Sequence, residues 1–308
     1  MRISVFPKGE LDDIVVHGRL TVTEWIDQAA GLPVDGVELY SAFFPADAPH
    51  VVDDVRKALE RHRLQMPMLC VSPDFTHPDP DERRRQFDEQ VRMIRLAATL
   101  GGPGASCRVL SGQRHPGVDD DEGVAWVVAA FHELIPIARE LDVVLGFENH
   151  YKDGYWRHPE FAQRRELYLR ILHAVDERVH FGVQFDPSNA VTAGEDSTDF
   201  LREVVDRVVT MQASDRYLAD GARLEDLRQT DGTIGYSSKL LHGVIGQGLN
   251  DYPAIFTLLA DTGYDGWISI EDGVNGWHEL RASVDFLRRA RDEYFNGSTD
   301  IAVRRPTA

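Results

Sequence analysis

The run "RVVTMQASD" (residues 207–215) reads as a buried β-strand that ends in a polar cluster. Val208, Val209, Met211 and Ala213 supply the apolar, partly β-branched character that a parallel sheet covered on both faces requires. Gln212 breaks the run, and Ser214 and Asp215 follow it directly. A buried amide without partners costs about 1–3 kcal/mol. Gln212 is therefore either satisfied within a core or aimed at something the protein binds. Seven similar runs occur along the chain: "ISVF" (3–6), "GVELY" (36–40), "QMPMLCV" (65–71), "SCRVLS" (106–111), "VVLGFE" (143–148), "HFGVQFD" (180–186) and "GWISIE" (266–271). Amphipathic stretches such as "TVTEWIDQAAGL" and "VVDDVRKALERH" separate them, and Thr21 with Glu24 three residues on fits a helix cap.

Eight strands, each followed by a helix, predict an α/β fold of the (β/α)8 TIM-barrel type, and 308 residues suit it. A doubly wound open sheet shares the alternation but normally carries a Gly-rich phosphate loop after its first strand. "FPKGELDD" offers one glycine there, so the barrel is the expected fold. Residues 1–295 are expected to form a single barrel domain with a long insertion near 215–250, between the seventh strand and its helix. Residues 296–308, "NGSTDIAVRRPTA", form a C-terminal tail, frayed or laid on a partner subunit.

The formal charge of −18 argues against a nucleic-acid or anionic-membrane surface, since phosphate binding runs on Lys and Arg. Cys70 and Cys107 lie in apolar runs and read as buried free thiols in a reducing cytosol. No apolar stretch approaches the roughly 18 residues of a membrane span, and the N-terminus lacks the apolar core of a signal peptide. A soluble, cytoplasmic protein is expected.

Three strands stop on an acid: Glu148, Asp186 and Glu271. Gln212 reaches a similar place on the strand between the last two. In a barrel the catalytic groups come from the C-terminal strand ends, so these four converge on one mouth. Carboxylates about 4 Å apart repel by roughly 4 kcal/mol per pair at an effective dielectric near 20. A divalent cation removes that cost, and oxygen-only ligands favour Mn²⁺ or Mg²⁺ over Zn²⁺. A single acidic strand end can equally be the N-cap of the next helix.

"GFENH", "FDPSN", "ASD" and "GYDGWISIEDG" resemble the xylose-isomerase-like TIM-barrel superfamily of sugar isomerases and epimerases. The likeness covers nearly the whole chain and is strongest from Glu148 to Gly273. It implies one divalent metal, Mn²⁺ first and Mg²⁺ or Co²⁺ as alternatives, held by Glu148, Asp186, Gln212 and Glu271. Gln212 stands where the family pattern has histidine; its Oε1 is a weaker, uncharged ligand. The resemblance implies that Glu148 and Glu271 move the proton next to a sugar carbonyl through an enediolate, giving isomerisation or epimerisation. A lyase on 3-keto-glycosides, of the C-glycoside-cleaving type, is the second reading. A non-catalytic sugar-binding or partner barrel is the third, motivated by Gln212. A DNA-repair endonuclease is disfavoured by the acidic charge and the shortage of histidines for a three-zinc cluster.

"ENHYKDGYWRHPEF" (148–161) reads as a lid, in which His150 acts as base or acid on a hydroxyl and Trp156 offers an aromatic face. Lys152 and His158 read as rim packing. Asp215 and Arg216 resemble the family's acidic and basic residues beyond the seventh strand, which implies contact with substrate or a second metal position. His242, beside Gly246 and Gly248, is expected to return to the active-site mouth from the insertion, and His115, from "SGQRHPG", to reach substrate. His77 and Glu38 are weaker candidates, and the other histidines are taken as structural. The expected partners are a small-molecule sugar or glycoside, with no nucleic acid or membrane, and the chain is expected to form a homo-oligomer or hetero-complex.

Overall fold

The structure is a computed structural model that describes residues 1–46, 48–230 and 232–296. In chain order its strands are β1 (Arg2–Val5), β2 (Gly36–Val37), β3 (Leu39–Tyr40), β4 (Met68–Cys70), β5 (Ser106–Val109), β6 (Val144–Glu148), β7 (Phe181–Phe185), β8 (Val208–Ala213), β9 (Arg216–Leu218), β10 (Leu240–His242) and β11 (Trp267–Ile270). All except β9 and β10 join one parallel sheet in the order β2-β1-β11-β8-β7-β6-β5-β4-β3. The two ends of that order are halves of a single run, 36–40, interrupted at Glu38. The sheet therefore meets itself, and the result is the expected eight-stranded barrel.

Helices surround the barrel, the longest being Pro80–Gly101 and Asp120–Glu140. The cap predicted at Thr21 is present in full: its hydroxyl accepts from the Glu24 amide, and the Glu24 carboxylate accepts from the Thr21 amide. Between barrel and helices lies an aromatic layer of Phe131, Phe147, Tyr168, Phe181 and Phe200, in which Phe147 and Tyr168 stack at 4.3 Å. Tyr168 also donates its hydroxyl to the Phe147 carbonyl at 2.6 Å, so β6 is pinned one residue before Glu148.

Both cysteines are free and buried, as expected. The insertion after β8 is ordered around the antiparallel β9–β10 pair, which brings His242 opposite Arg216. Asp215 holds the base of this excursion, accepting from the amides of Gly246 and Gly248 at 2.9 Å each. The expected tail, apart from Asn296, lies outside the described residues. No described helix is long and apolar enough to cross a membrane.

Candidate metal centre and its cavity

Glu148, Asp186 and Glu271 converge at the C-terminal ends of β6, β7 and β11, each offering a carboxylate oxygen within 4.8 Å of the others. Glu148 and Asp186 are buried, and the Glu271 side chain is 13% exposed. Asp186 also caps the short helix Pro187–Thr192, its Oδ1 accepting from the amides of Ser188 (2.7 Å) and Asn189 (3.1 Å) and from Ser214 Oγ (2.7 Å). The capping and metal-holding readings are thus compatible, because all these bonds fall on one oxygen.

Fixed cations partly balance the acids. Arg108, on β5, donates from Nη1 to Glu148 Oε2 at 2.8 Å, from Nε to the Val71 carbonyl at 3.0 Å, and from Nη2 to Ser72 Oγ at 2.9 Å. Asn189 Nδ2 donates to the other Glu148 oxygen at 2.9 Å. Lys8, just beyond β1, donates to Glu271 Oε1 at 2.9 Å. Burial drives the Glu148 carboxyl well above its ordinary value despite Arg108. It also pushes Asp186 up to about 7, with Glu271 adding to the rise. Burial acts on Glu271 in the same sense, but Lys8, supported by Arg108 and Arg216, outweighs it and holds this carboxyl low.

The donor set suits a hard divalent cation: three carboxylates from three strands, converging where water is largely excluded. Gln212 is level with Ser269, two residues short of Glu271. Its Nε2 donates to Glu38 Oε1 and lies 3.4 Å from Cys70 Sγ, while its buried Oε1 has no partner among the described residues. That oxygen is the one Gln212 can offer an ion; its nitrogen is already committed within the barrel.

A cavity of about 410 Å³ opens above the acids. Asp186 and Glu271 line it, together with Lys8, Arg108, His150, Arg216 and His242, and Tyr40, Tyr155 and Tyr236 supply aromatic surface. His150 is buried, and Glu160 Oε2 faces its Nδ1 at 3.4 Å. Burial, with Arg108 and Lys8 nearby, pushes the His150 imidazole well below its ordinary value, so it stands neutral. Trp156 is outside the lining and meets the His150 ring edge-on at 6.0 Å. His242 Nδ1 lies 2.6 Å from both Arg216 Nη1 and Asp272 Oδ1. Two further expected substrate contacts are placed elsewhere. Asp215 is fully buried in the insertion's base, and His115 is bound to Asp74 at 2.7 Å, outside the cavity lining.

Lys8, Arg108, Asn189 and Glu160 escaped the reading of the sequence. Arg108 carried a signal, because a charge inside the apolar run "SCRVLS" must be paired when buried. Lys8 carried another by following a barrel strand at its C-terminal end.

A closed parallel barrel with an oxygen-rich centre at its strand ends defines the class. The chain belongs to the xylose isomerase-like TIM barrel family, whose model it matches over residues 26–290. It is 23% identical over 238 residues to inosose dehydratase of Clostridium botulinum (strain Alaska E43 / Type E3), which covers 72% of this chain and 74% of that protein. A D-tagatose 3-epimerase-like protein superposes with a TM-score of 0.73 at 17% identity, covering 96% of this chain and 99% of the other. The 3-keto-D-glucoside 4-epimerase of E. coli superposes with a TM-score of 0.66 at 15% identity, over 95% and 99%. At such identities these structural likenesses speak for the fold.

Proposed function

We propose that the protein is a divalent-metal-dependent sugar isomerase or epimerase, with Mn²⁺ as the preferred ion and Mg²⁺ or Co²⁺ as substitutes. The observation that carries the reading is the convergence of Glu148, Asp186 and Glu271, of which Asp186 and Glu271 line a cavity large enough for a sugar and Glu148 lies buried behind them. Asp186 and the two glutamates would hold the ion, with the unpaired Gln212 oxygen as a further donor. The ion would supply Lewis-acid stabilisation of negative charge developing on the substrate's carbonyl oxygen. One glutamate takes the proton from the carbon next to that carbonyl and the other returns a proton. Return to the opposite face of the same carbon inverts it; return to the neighbouring carbon exchanges aldose and ketose. Arg108 and Lys8 hold the two glutamates in place through opposite ends of the site.

His150 favours a second reading, a lyase. Its neutral ring lines the cavity, backed by Glu160. Where a hydroxyl or glycoside oxygen lies β to the deprotonated carbon, Glu160, whose carboxyl is pushed by burial up to about 8, gives its proton to His150 Nδ1 as the ring passes its Nε2 proton on, and the group departs as water or an alcohol. The relationship to an inosose dehydratase supports keeping this reading beside the first. The test is solvent deuterium exchange into free ketoses, 3-keto-glycosides and inososes with and without Mn²⁺. Glu271→Gln is expected to abolish exchange, and His150→Ala to spare epimerisation while blocking elimination. Failure to bind Mn²⁺ or to exchange any of these substrates would leave a sugar-binding or partner barrel.

A further inference from the structure

A fourth acid, Glu38, lies fully buried inside the barrel, at the break between β2 and β3. It does not belong to the group of carboxylates close enough to share an ion. Its Oε1 accepts from Gln212 Nε2 and, at 3.0 Å, from the Cys70 thiol. Gln212 Nε2 also has Cys70 Sγ at 3.4 Å, so both hydrogens of the amide find acceptors on this side. We propose that Glu38 is a positioning residue for the metal centre: by engaging the Gln212 nitrogen, it presents the amide oxygen to the ion. The inference rests on the proposed metal centre and deepens it, since Glu38 acts through Gln212 and does not itself ligate.

A carboxamide has two orientations of nearly equal shape, one offering an oxygen with lone pairs and the other a nitrogen that only donates. Only the first can hold a cation. Glu38 decides between them. Its Oε1 takes two donors and so stays an acceptor whether or not the carboxyl carries a proton, which would sit on the unpartnered Oε2. Turning the Gln212 amide over would set two buried acceptors against each other and strand the N–H groups, a mismatch that a buried site does not tolerate. The amide oxygen that remains is buried without a partner among the described residues. The strand that carries it, β8, lies between β7 and β11, which lead into Asp186 and Glu271.

A carboxylate behind a ligand is the common support of a metal-bound imidazole, accepting from the ring nitrogen that does not ligate. Glu38 gives an amide the same support and would give it to a histidine at position 212. Any gain in Mn²⁺ affinity from Gln212→His should therefore depend on Glu38. Glu38 also places negative charge near the ion, an effect that acts whatever residue stands at 212. A double-variant cycle separates the two roles.

The test is Mn²⁺ titration by calorimetry of the full chain, Glu38→Met, Gln212→Leu and the double variant. Each single variant is expected to weaken binding at least about tenfold, and the double variant no more than about twofold beyond Gln212→Leu. An undiminished effect of Glu38→Met in the Gln212→Leu chain overturns the proposal, because Glu38 then acts through its charge alone. In the metal-free chain, ¹⁵N-glutamine spectra follow the Gln212 Nε2 hydrogens, identified by their loss in Gln212→Leu. Their signals are expected to move and to exchange faster with solvent in Glu38→Met. Should that variant fold poorly, the parent decides: Gln212 hydrogens that exchange as freely as those of exposed glutamines overturn the proposal. A parent chain that binds no Mn²⁺ overturns the metal reading and this proposal with it. An unmoved Gln212 signal in a chain that does bind Mn²⁺ overturns this proposal alone.

Discussion

Replacing Arg108 by methionine removes a buried guanidinium and little volume. The Arg108 and Glu148 side chains are 5% and 0% exposed, so solvent cannot take over when the pair is broken. Breaking a buried pair by removing one partner costs about 3–5 kcal/mol, because the other charge stays uncompensated. The Val71 carbonyl and Ser72 hydroxyl lose their donor as well, although a Ser72 bond to Asp153 Oδ2 at 2.6 Å limits the second loss. Proton uptake by Glu148 caps the total, which we place at about 4 kcal/mol in metal-free buffer. With a urea m-value near 2–3 kcal/mol/M, the unfolding midpoint falls by about 1.3–2 M. Adding Glu148→Gln to Arg108→Met is expected to recover at least half of the loss, since the stranded charge is then gone. Mn²⁺ at about 100 times its Kd should return roughly 2.7 kcal/mol to the single variant. The measurement is urea unfolding followed by circular dichroism for the parent, both single variants and the double. A cost below about 1 kcal/mol, or a double variant no more stable than Arg108→Met, would refute Arg108 as the counter-ion of Glu148.

Three further outcomes are expected. Glu177 has its carboxyl pulled down to about 2, first by the Val179 amide and then by Arg139 and the amides of His180 and Arg178. A depressed folded-state pKa gives stability that is present above the ordinary value of 4.5 and lost as pH falls through about 2. After screening at this accessible loop, Glu177→Gln should cost about 1 kcal/mol at pH 7, with the gap to the parent closing below about pH 2; a pH-independent gap would contradict this. Gly112 has φ +118, and a Cβ there would lie 2.4 Å from Thr76 Oγ1 and 2.5 Å from Asp74 Oδ1. Gly112→Ala should therefore lower stability by about 1–3 kcal/mol, read as thermal midpoint, with an unaltered midpoint counting against the strain. Gln212→His should tighten Mn²⁺ binding at least a few-fold by calorimetry, since imidazole is the better ligand for borderline ions; unchanged or weaker binding would put this position outside the metal's shell.

The barrel was legible because apolar strand runs and amphipathic stretches alternate, and the strand-end acids because a barrel gathers such ends at one mouth. Glu148, Asp186 and Glu271 needed no knowledge of loop geometry to be grouped. Arg108 and Lys8 were legible in the same terms, but an interior charge in "SCRVLS" and a lysine beyond "ISVF" attract less notice than repeated strand-end acids. At Glu38, where the second barrel strand divides into β2 and β3, the side chain faces Cys70 and Gln212 inside the barrel. Such a cross-barrel partnership leaves no periodic trace. Asp215 and His115 lie outside the cavity lining for a related reason. Their partners are backbone amides 31 and 33 residues away in one case and Asp74 in the other, set by loop paths that residue type alone does not specify.

The charges around the site favour chemistry that builds negative charge on the substrate. Glu148, Asp186 and Glu271 face Lys8 and Arg108, leaving one net negative charge when all are ionised. Arg216 does not change that balance, because Asp272 answers it, the two meeting at His242 Nδ1. The raised Asp186 and Glu148 carboxyls express the same excess, with burial as the larger cause. A divalent cation would turn one net negative charge into one net positive; when a glutamate takes the substrate's proton the total is unchanged, but negative charge moves from that carboxylate to the substrate oxygen, where the cation would stand against it. On the proposed reading, a neutral sugar entering the site gains no such match, whereas the same sugar after losing a proton beside its carbonyl does. The preference lies with the transition state rather than the ground state, and it arises from two fixed cations set against three acids.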